Sequence, residues 1–382
     1  MPSPQTRSDL LRGTRLGSYE VGALLGHGGM ASVFEGTHVA LAKPVAIKVL
    51  HEHVAQNDAM RARFVREARL AATLEHPHVV TILDVGVEGD LAFLVMERLQ
   101  GEDLAAHLRA IPGKKLALPD ALAIVLPLAS ALSFAHEHDV VHRDLKPANV
   151  FLARDRHGEV LPKIVDFGLS KLVTGEEDDA PLTGPQTVMG TPEYMAPEQT
   201  FGTRLAGPRT DQYALAIILY EAVTGRLPFD VGASRDLFEV IRTAPLIPPS
   251  KVDPALPPAL DAVLLRALAR DPDARFPDVR AFARALMPLA DPSMARDWER
   301  DFEAGPPLAD AMGLSVRTAD SDTLVGVPPP PPPLPCAPGA STFHIRGIAY
   351  RGLVRLVEQK IQGGLETLDE ELADARISAF VR

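Results

Sequence analysis

Nine residues, Val141-His142-Arg143-Asp144-Leu145-Lys146-Pro147-Ala148-Asn149, constrain this chain more than any other stretch. They bring an acid, a base and an amide into one short segment. Asp144 can orient a substrate hydroxyl and accept its proton. Asn149, five positions on, can ligate a metal through its amide oxygen, and Lys146 between them can reach a phosphate. Phosphoryl transfer requires such a set: an oriented nucleophile, a metal on the phosphates and cations that take up negative charge.

The residues upstream read as a β-rich unit. Tyr19 to Gly26 is a strand running into the turn Gly26-His27-Gly28-Gly29-Met30-Ala31-Ser32-Val33, and Ser32 to Thr37 is a second strand. Glycines let the backbone fold closely over phosphate oxygens with their N–H groups toward the anion. The strand that follows makes this a hairpin; a dinucleotide-binding turn would lead into a helix. In Pro44-Val45-Ala46-Ile47-Lys48-Val49-Leu50 a lysine sits inside an apolar strand, which is costly unless its charge is paired. A helix is expected from about Asp58 to Glu75, with Glu67 on it; His76-Pro77-His78-Val79-Val80 ends it, Pro77 being the stop, and starts a strand. His51, His53, His76 and His78 match no metal-ligand spacing and read as junction histidines. Leu91 to Met96 is a continuous apolar strand.

Downstream, Pro119 to His138 reads as a buried core helix. Val150-Phe151-Leu152 and Lys163-Ile164-Val165 read as a hairpin around a polar turn from Arg154 to Gly158. The second strand ends in Asp166-Phe167-Gly168, and an acid there, facing a phosphate site, can hold Mg²⁺. Leu169 to Thr187 is long, polar and acidic, as mobile loops are. Asp211 opens an apolar helix and is a natural cap.

Taken in order, these segments resemble the eukaryotic-like serine/threonine protein kinases, and the wording Gly190-Thr191-Pro192-Glu193-Tyr194-Met195-Ala196-Pro197-Glu198-Gln199 resembles the bacterial ones. The resemblance covers about residues 16–290. Ala31 stands where the family pattern carries a third glycine. It implies an α+β, bilobal protein kinase fold, with a β-rich N-lobe at about 16–100 and a mainly helical C-lobe at about 101–290. It implies that ATP is the phosphate donor, with Mg²⁺, for which Mn²⁺ could substitute, and that protein serines or threonines are the acceptors. By the same resemblance Leu25, Gly26, Gly28, Gly29 and Val33 cover the nucleotide, with Ala46 also in its site. Lys48 meets the α- and β-phosphates and pairs with Glu67, Met96 is the gatekeeper, the backbones of Glu97 and Leu99 bond the adenine edge, and Asp103 faces the ribose. Asp144 orients the hydroxyl, Lys146 steadies the γ-phosphate, Asn149 and Asp166 hold the metal, and Phe167 packs into the core. Thr191 bonds Asp144 and Lys146, Asp211 braces the loop backbone, and Arg275 pairs with Glu198. The segment from Leu169 to Thr187 becomes an activation loop, where a phosphate on Thr187, or on Thr183, would partner Arg143. Phosphorylation between two copies would call for homodimerisation. The rival reading is a pseudokinase-type nucleotide-binding scaffold recruiting partners through its tail; such scaffolds usually lose the lysine or an acid, and here none is lost.

Composition bounds the rest. A net charge of −11 argues against a nucleic-acid or membrane-surface protein, and an apolar fraction of 46% suffices for a core. The apolar uncharged run Ala121 to His136 falls short of the roughly 20 residues of a membrane helix. The polar N-terminus shows no signal peptide, and the single cysteine, Cys336, suits a reducing compartment, so a cytoplasmic protein without a membrane span is expected. Residues 1–15 read as a flexible N-terminus. Composition shifts near Asp291, so 291–340 reads as a disordered acidic and proline-rich linker; six prolines, Pro328 to Pro333, would extend about 19 Å as polyproline II. Residues 341–382 regain apolar periodicity and read as a short helical tail able to dock a partner.

Overall fold

The computed structural model describes residues 11–55, 57–155, 157–167, 192–202, 205–229 and 237–303. Thr183, Thr187, Thr191, Gly168 and the tail lie outside them.

The alternating apolar residues of the first segment form a twisted antiparallel sheet. Its strands are β1 (Arg15–Leu16), β2 (Tyr19–His27), β3 (Ala31–His38), β4 (Lys43–Leu50), β5 (Ile82–Glu88) and β6 (Leu91–Glu97), in the order β1-β2-β3-β4-β6-β5. One face buries Leu16, Tyr19, Val21, Phe34, Val45, Ile47, Val49, Phe93 and Val95. The other buries Ala31, Leu50, Ala92 and Leu94 against α1 (Glu52–Ala55) and α2 (Asp58–Ala71), through Val54, Phe64 and Ala68. Phe64 is fully buried, which stabilises the docked helix by about 1.5–3 kcal/mol. Asn57 caps α2 by accepting the Met60 amide at 3.1 Å. The helix ends at Ala71, four residues short of the expected Glu75. The strand expected from His78 begins only at Ile82, and Val79 instead makes an isolated parallel bridge to Ile164.

The chain crosses to the second lobe through β7 (Gly101–Asp103), which pairs with β8 (Val150–Arg154); β8 pairs with β9 (Val160–Ile164) in the register Val150↔Ile164. Gly101 has φ 140°, and a Cβ there would lie 2.1 Å from the Leu152 carbonyl oxygen, so only glycine lets these strands approach. The helices are α3 (Leu104–Ala110), α4 (Leu118–Glu137), α5 (Pro208–Thr224), α6 (Leu237–Thr243), α7 (Pro249–Val252), α8 (Pro258–Ala267), α9 (Val279–Leu286) and α10 (Pro292–Phe302).

Two helices apolar all round, α4 and α5, form the centre of this lobe, as such helices must. α4 is long and apolar enough to cross a membrane, but 67% of its most apolar window is buried here. Asp211 is not the cap of α5: the helix begins at Pro208 after Gly207, and the carboxylate sits inside the first turn. The linker expected from Asp291 is also corrected over its first residues. Pro292–Phe302 is helical, because Trp298 and Phe302 stack at 5.9 Å and Phe302 is 1% exposed against the core. Acidic and basic residues on its outer face had masked this apolar stripe.

Candidate active site

The β2–β3 hairpin carries Gly26, Gly28 and Gly29 as expected, closed by a Gly28 N–H to Ala31 carbonyl bond of 2.9 Å. His51, just after β4, ties the turn to β3: one ring nitrogen lies 3.0 Å from Ser32 Oγ and the other 3.3 Å from the Gly29 carbonyl. The methyl group of Ala31, where a third glycine was looked for, packs into the core beside Leu50 and Val54. It therefore does not crowd the turn.

Ala46, Val80 and Met96 form one buried apolar cluster, with Val33, Leu99 and Val165 packed against it. Four of these, Val33, Ala46, Met96 and Leu99, were singled out from the sequence. Val80 and Val165 were not: each lies in an apolar run that carries no chemical signal of its own. Leu25, in β2, is 40% exposed. The Glu97 side chain accepts the Thr81 amide at 2.8 Å and pairs with Lys163 at 2.7 Å. Asp103 caps α3 by accepting the Ala106 amide at 2.8 Å, a structural duty the sequence reading did not foresee.

Lys48 follows from the register Val33↔Lys48 and Lys48↔Leu94, which sets its side chain in the cleft. Its ammonium meets Asp166 Oδ1 at 2.7 Å. The expected Lys48–Glu67 pair is thus corrected. Glu67 is buried on α2 and pairs with the adjacent Arg66 at 3.4 Å, while the nearest carboxylate to Lys48 is the one presented by the β9 end. Asp166 has φ 64°, a left-handed conformation that turns the chain sharply after Val165. Burial alone would raise its pKa, but the charge and hydrogen bond of Lys48, with His142 and Lys146, hold the carboxyl below the usual range. It is therefore ionised at neutral pH.

The Val141–Asn149 loop is built from within. Lys146 Nζ lies 2.8 Å from Asp144 Oδ2. Asn149 donates from Nδ2 to the Asp144 carbonyl at 2.7 Å and to its carboxylate at 3.4 Å, which leaves the amide oxygen as the ligating atom. The Val165 amide donates to the Asn149 carbonyl at 2.9 Å, joining this loop to the strand that ends in Asp166. His142, fully buried and missed as a contributor, bonds the Val165 carbonyl at 3.0 Å and meets the Phe167 ring edge-on at 4.9 Å. Its place beside Arg143 and Asp144 was the available signal. Phe167 is 3% exposed, as expected.

Asp211 lies under the loop. It accepts the amides of His142 and Arg143, each at 2.8 Å, and bonds His136 Nε2 at 2.8 Å. Burial opposes its charge, yet the bond and charge of His136, with His142, hold its carboxyl below the usual range. This support balances the positive φ of Arg143, 68°. Arg143 Nε is buried without a hydrogen-bond partner among the described residues. Further out, Arg275 grips Glu198 through two bonds, 2.8 and 2.6 Å, with Tyr213 beneath its guanidinium.

An ionised carboxylate and an amide oxygen on adjoining segments form a hard-oxygen donor set of the kind Mg²⁺ takes. A β-sheet lobe with a glycine turn, a helical lobe with an Asp–Lys–Asn loop, and a lysine–aspartate pair in the cleft define the bilobal protein kinase fold. The chain belongs to the protein kinase domain family, which it matches over residues 19–285. It is 41% identical over 280 residues to the serine/threonine-protein kinase Pkn1 of Myxococcus xanthus, covering 73% of this chain and 39% of that protein. It is 37% identical over 299 residues to the serine/threonine-protein kinase PksC of Streptomyces coelicolor, covering 76% of this chain and 50% of that one. The matched region therefore spans half or less of these relatives' length. A crystal structure of the Mycobacterium tuberculosis PknI kinase domain superposes with a TM-score of 0.56 at 32% identity, covering 72% of this chain and 96% of that one.

Proposed function

We propose that this chain is an ATP-dependent serine/threonine protein kinase whose kinase domain is the part from about residue 16 to the end of α10. The observation that carries the reading is the convergence of Asp144, Lys146, Asn149 and Asp166, tied through the Val165 to Asn149 backbone bond. Asp144 orients the acceptor hydroxyl and takes its proton, and Lys146, already at its carboxylate, steadies the γ-phosphate. Lys48, held by Asp166, meets the α- and β-phosphates under the glycines Gly26, Gly28 and Gly29. The adenine lies among Val33, Ala46, Met96 and Leu99, below Leu25, with its edge on the backbones of Glu97 and Leu99 and its ribose toward Asp103. Asn149 and Asp166 hold Mg²⁺, or Mn²⁺ in its place. When bound, the metal neutralises charge on the phosphates. ATP and a reducing environment for Cys336 make the cytoplasm its compartment.

Regulation follows from Arg143, whose buried Nε suits a phosphate on Thr187 or Thr183. Self-phosphorylation would then pass between two copies in a transient homodimer, and the tail would serve as a docking element.

The test is to incubate the purified full chain with ATP and Mg²⁺ beside Asp144→Asn and to map phosphosites by mass spectrometry. Phosphate on Thr183 or Thr187 in the wild type alone is the expected result. Equal phosphorylation of both proteins, or of neither, counts against the reading.

A further inference from the structure

Lys163 is a buried cation that the proposed chemistry leaves unused. It lies on β9 and is 7% exposed. A lysine so far from water is retained only where its charge and its donors are satisfied. Its Nζ lies 2.7 Å from Glu97 Oε1 and 3.3 Å from the Val79 carbonyl oxygen. The same Glu97 oxygen accepts the Thr81 amide at 2.8 Å, and the Glu97 amide donates back to the Thr81 carbonyl at 2.9 Å. One ammonium thus joins the end of β6, the stretch leading into β5, and β9. Backbone bonds run alongside it, from Ile164 N to the His78 carbonyl at 2.8 Å and from Val80 N to the Ile164 carbonyl at 3.0 Å. Asp166 follows Ile164 by two residues. Lys163 therefore stands between the strand end assigned to the adenine edge and the acid assigned to the metal.

We infer that the Lys163–Glu97 pair is a positioning device for nucleotide recognition. It holds the backbone of Glu97 and Leu99 against β9, so that the base-binding edge and the metal-binding acid keep one spacing. The inference rests on the functional reading above. After Glu97 the chain leaves the sheet, and Arg98, Leu99 and Gln100 belong to no strand. The Glu97 side chain is thus the last anchor before the loop. An exposed ion pair would do little here. This lysine side chain is only 9% exposed and its ammonium keeps a second bond to Val79, so its removal leaves a partly desolvated carboxylate that turns toward water and releases the Thr81 amide.

A pair that merely stiffens the fold, when broken, would lower melting temperature and depress every kinetic constant together. A positioning pair acts on the nucleotide alone. The experiment uses the full chain as wild type, Lys163→Met, Lys163→Arg and Glu97→Gln. ADP with Mg²⁺ is titrated by calorimetry, and steady-state kinetics are taken with ATP and a serine/threonine peptide. In Lys163→Met we expect ADP affinity to fall and ATP KM to rise about five- to tenfold, the scale of one lost hydrogen bond. kcat and peptide KM stay within about twofold, and Lys163→Arg recovers most of the affinity because guanidinium keeps the charge. Unchanged nucleotide affinity in Lys163→Met, or a parallel loss in all constants, overturns the inference. If that variant does not fold, Glu97→Gln decides: weaker ADP binding supports the pair, and unchanged binding overturns it. A wild-type chain that binds no ADP overturns the functional reading of the cleft and this inference with it.

Discussion

Asp144 and Asp211 are separated by one layer of backbone and do different work. Asp144 reaches the cleft with Lys146 at 2.8 Å, so Asp144→Asn should keep the fold and lose about 10²–10⁴-fold in kcat, the usual scale for a general base, as read in a peptide phosphorylation assay with matched thermal melts. Asp211 is buried, with two loop amides and His136 as partners. Because its folded pKa is depressed, the stability it contributes is complete above the unfolded value of about 3.9 and disappears as pH falls through the folded value. Urea midpoints taken from about pH 6 down to pH 3 should therefore fall less steeply for Asp211→Asn than for the wild type; parallel curves would count against it. The residues that were legible from sequence alone were those whose chemistry is conspicuous where it stands, such as Lys48 in an apolar strand. Lys163 was read only as a strand residue, since a lysine near a polar turn does not reveal that Glu97 waits across the cleft. The partner of Lys48 was misread for a related reason: choosing between Glu67 and Asp166 requires distances that spacing along the chain does not contain.

At the level of elements, the hairpin, β4, β6, β8, β9 and α4 were readable because period and punctuation agree there. β5 was displaced because Val79 and Val80 look like its start but bond across to Ile164, a long-range contact with no local mark. The Arg275–Glu198 pair was expected only by resemblance, and its energetics now follow from geometry. Arg275 is 2% exposed, bonds Glu198 twice, and also bonds the carbonyls of Ala269 and Arg209 at 2.8 and 2.9 Å. Arg275→Ala strands a largely buried glutamate and those carbonyls, and should cost about 3–5 kcal/mol in chemical denaturation. A loss below about 1 kcal/mol would mean the pair behaves like a surface one.

For the molecule as a whole, composition and burial disagree over the stretch from Asp291 to Phe302. Composition turns near Asp291, whereas burial persists to Phe302, which is 1% exposed. α10 is held in two ways: Asp301 accepts the Ser130 hydroxyl at 2.9 Å, and Trp298 lies 5.6 Å from His78, ring to ring. Phe302→Ala should therefore destabilise the helical lobe by about 3–5 kcal/mol, measured by urea titration, as expected for an aromatic side chain lost from a packed core. An effect under about 1 kcal/mol would return the helix to the linker.

The same helix sets a rule for splicing. A chimaera that kept residues up to 290 and took a foreign tail would inherit an uncovered groove on α4 and a Ser130 hydroxyl deprived of its Asp301 acceptor. The interchangeable module of this chain includes at least α10, and a graft joined beyond Phe302 carries its own lid with it.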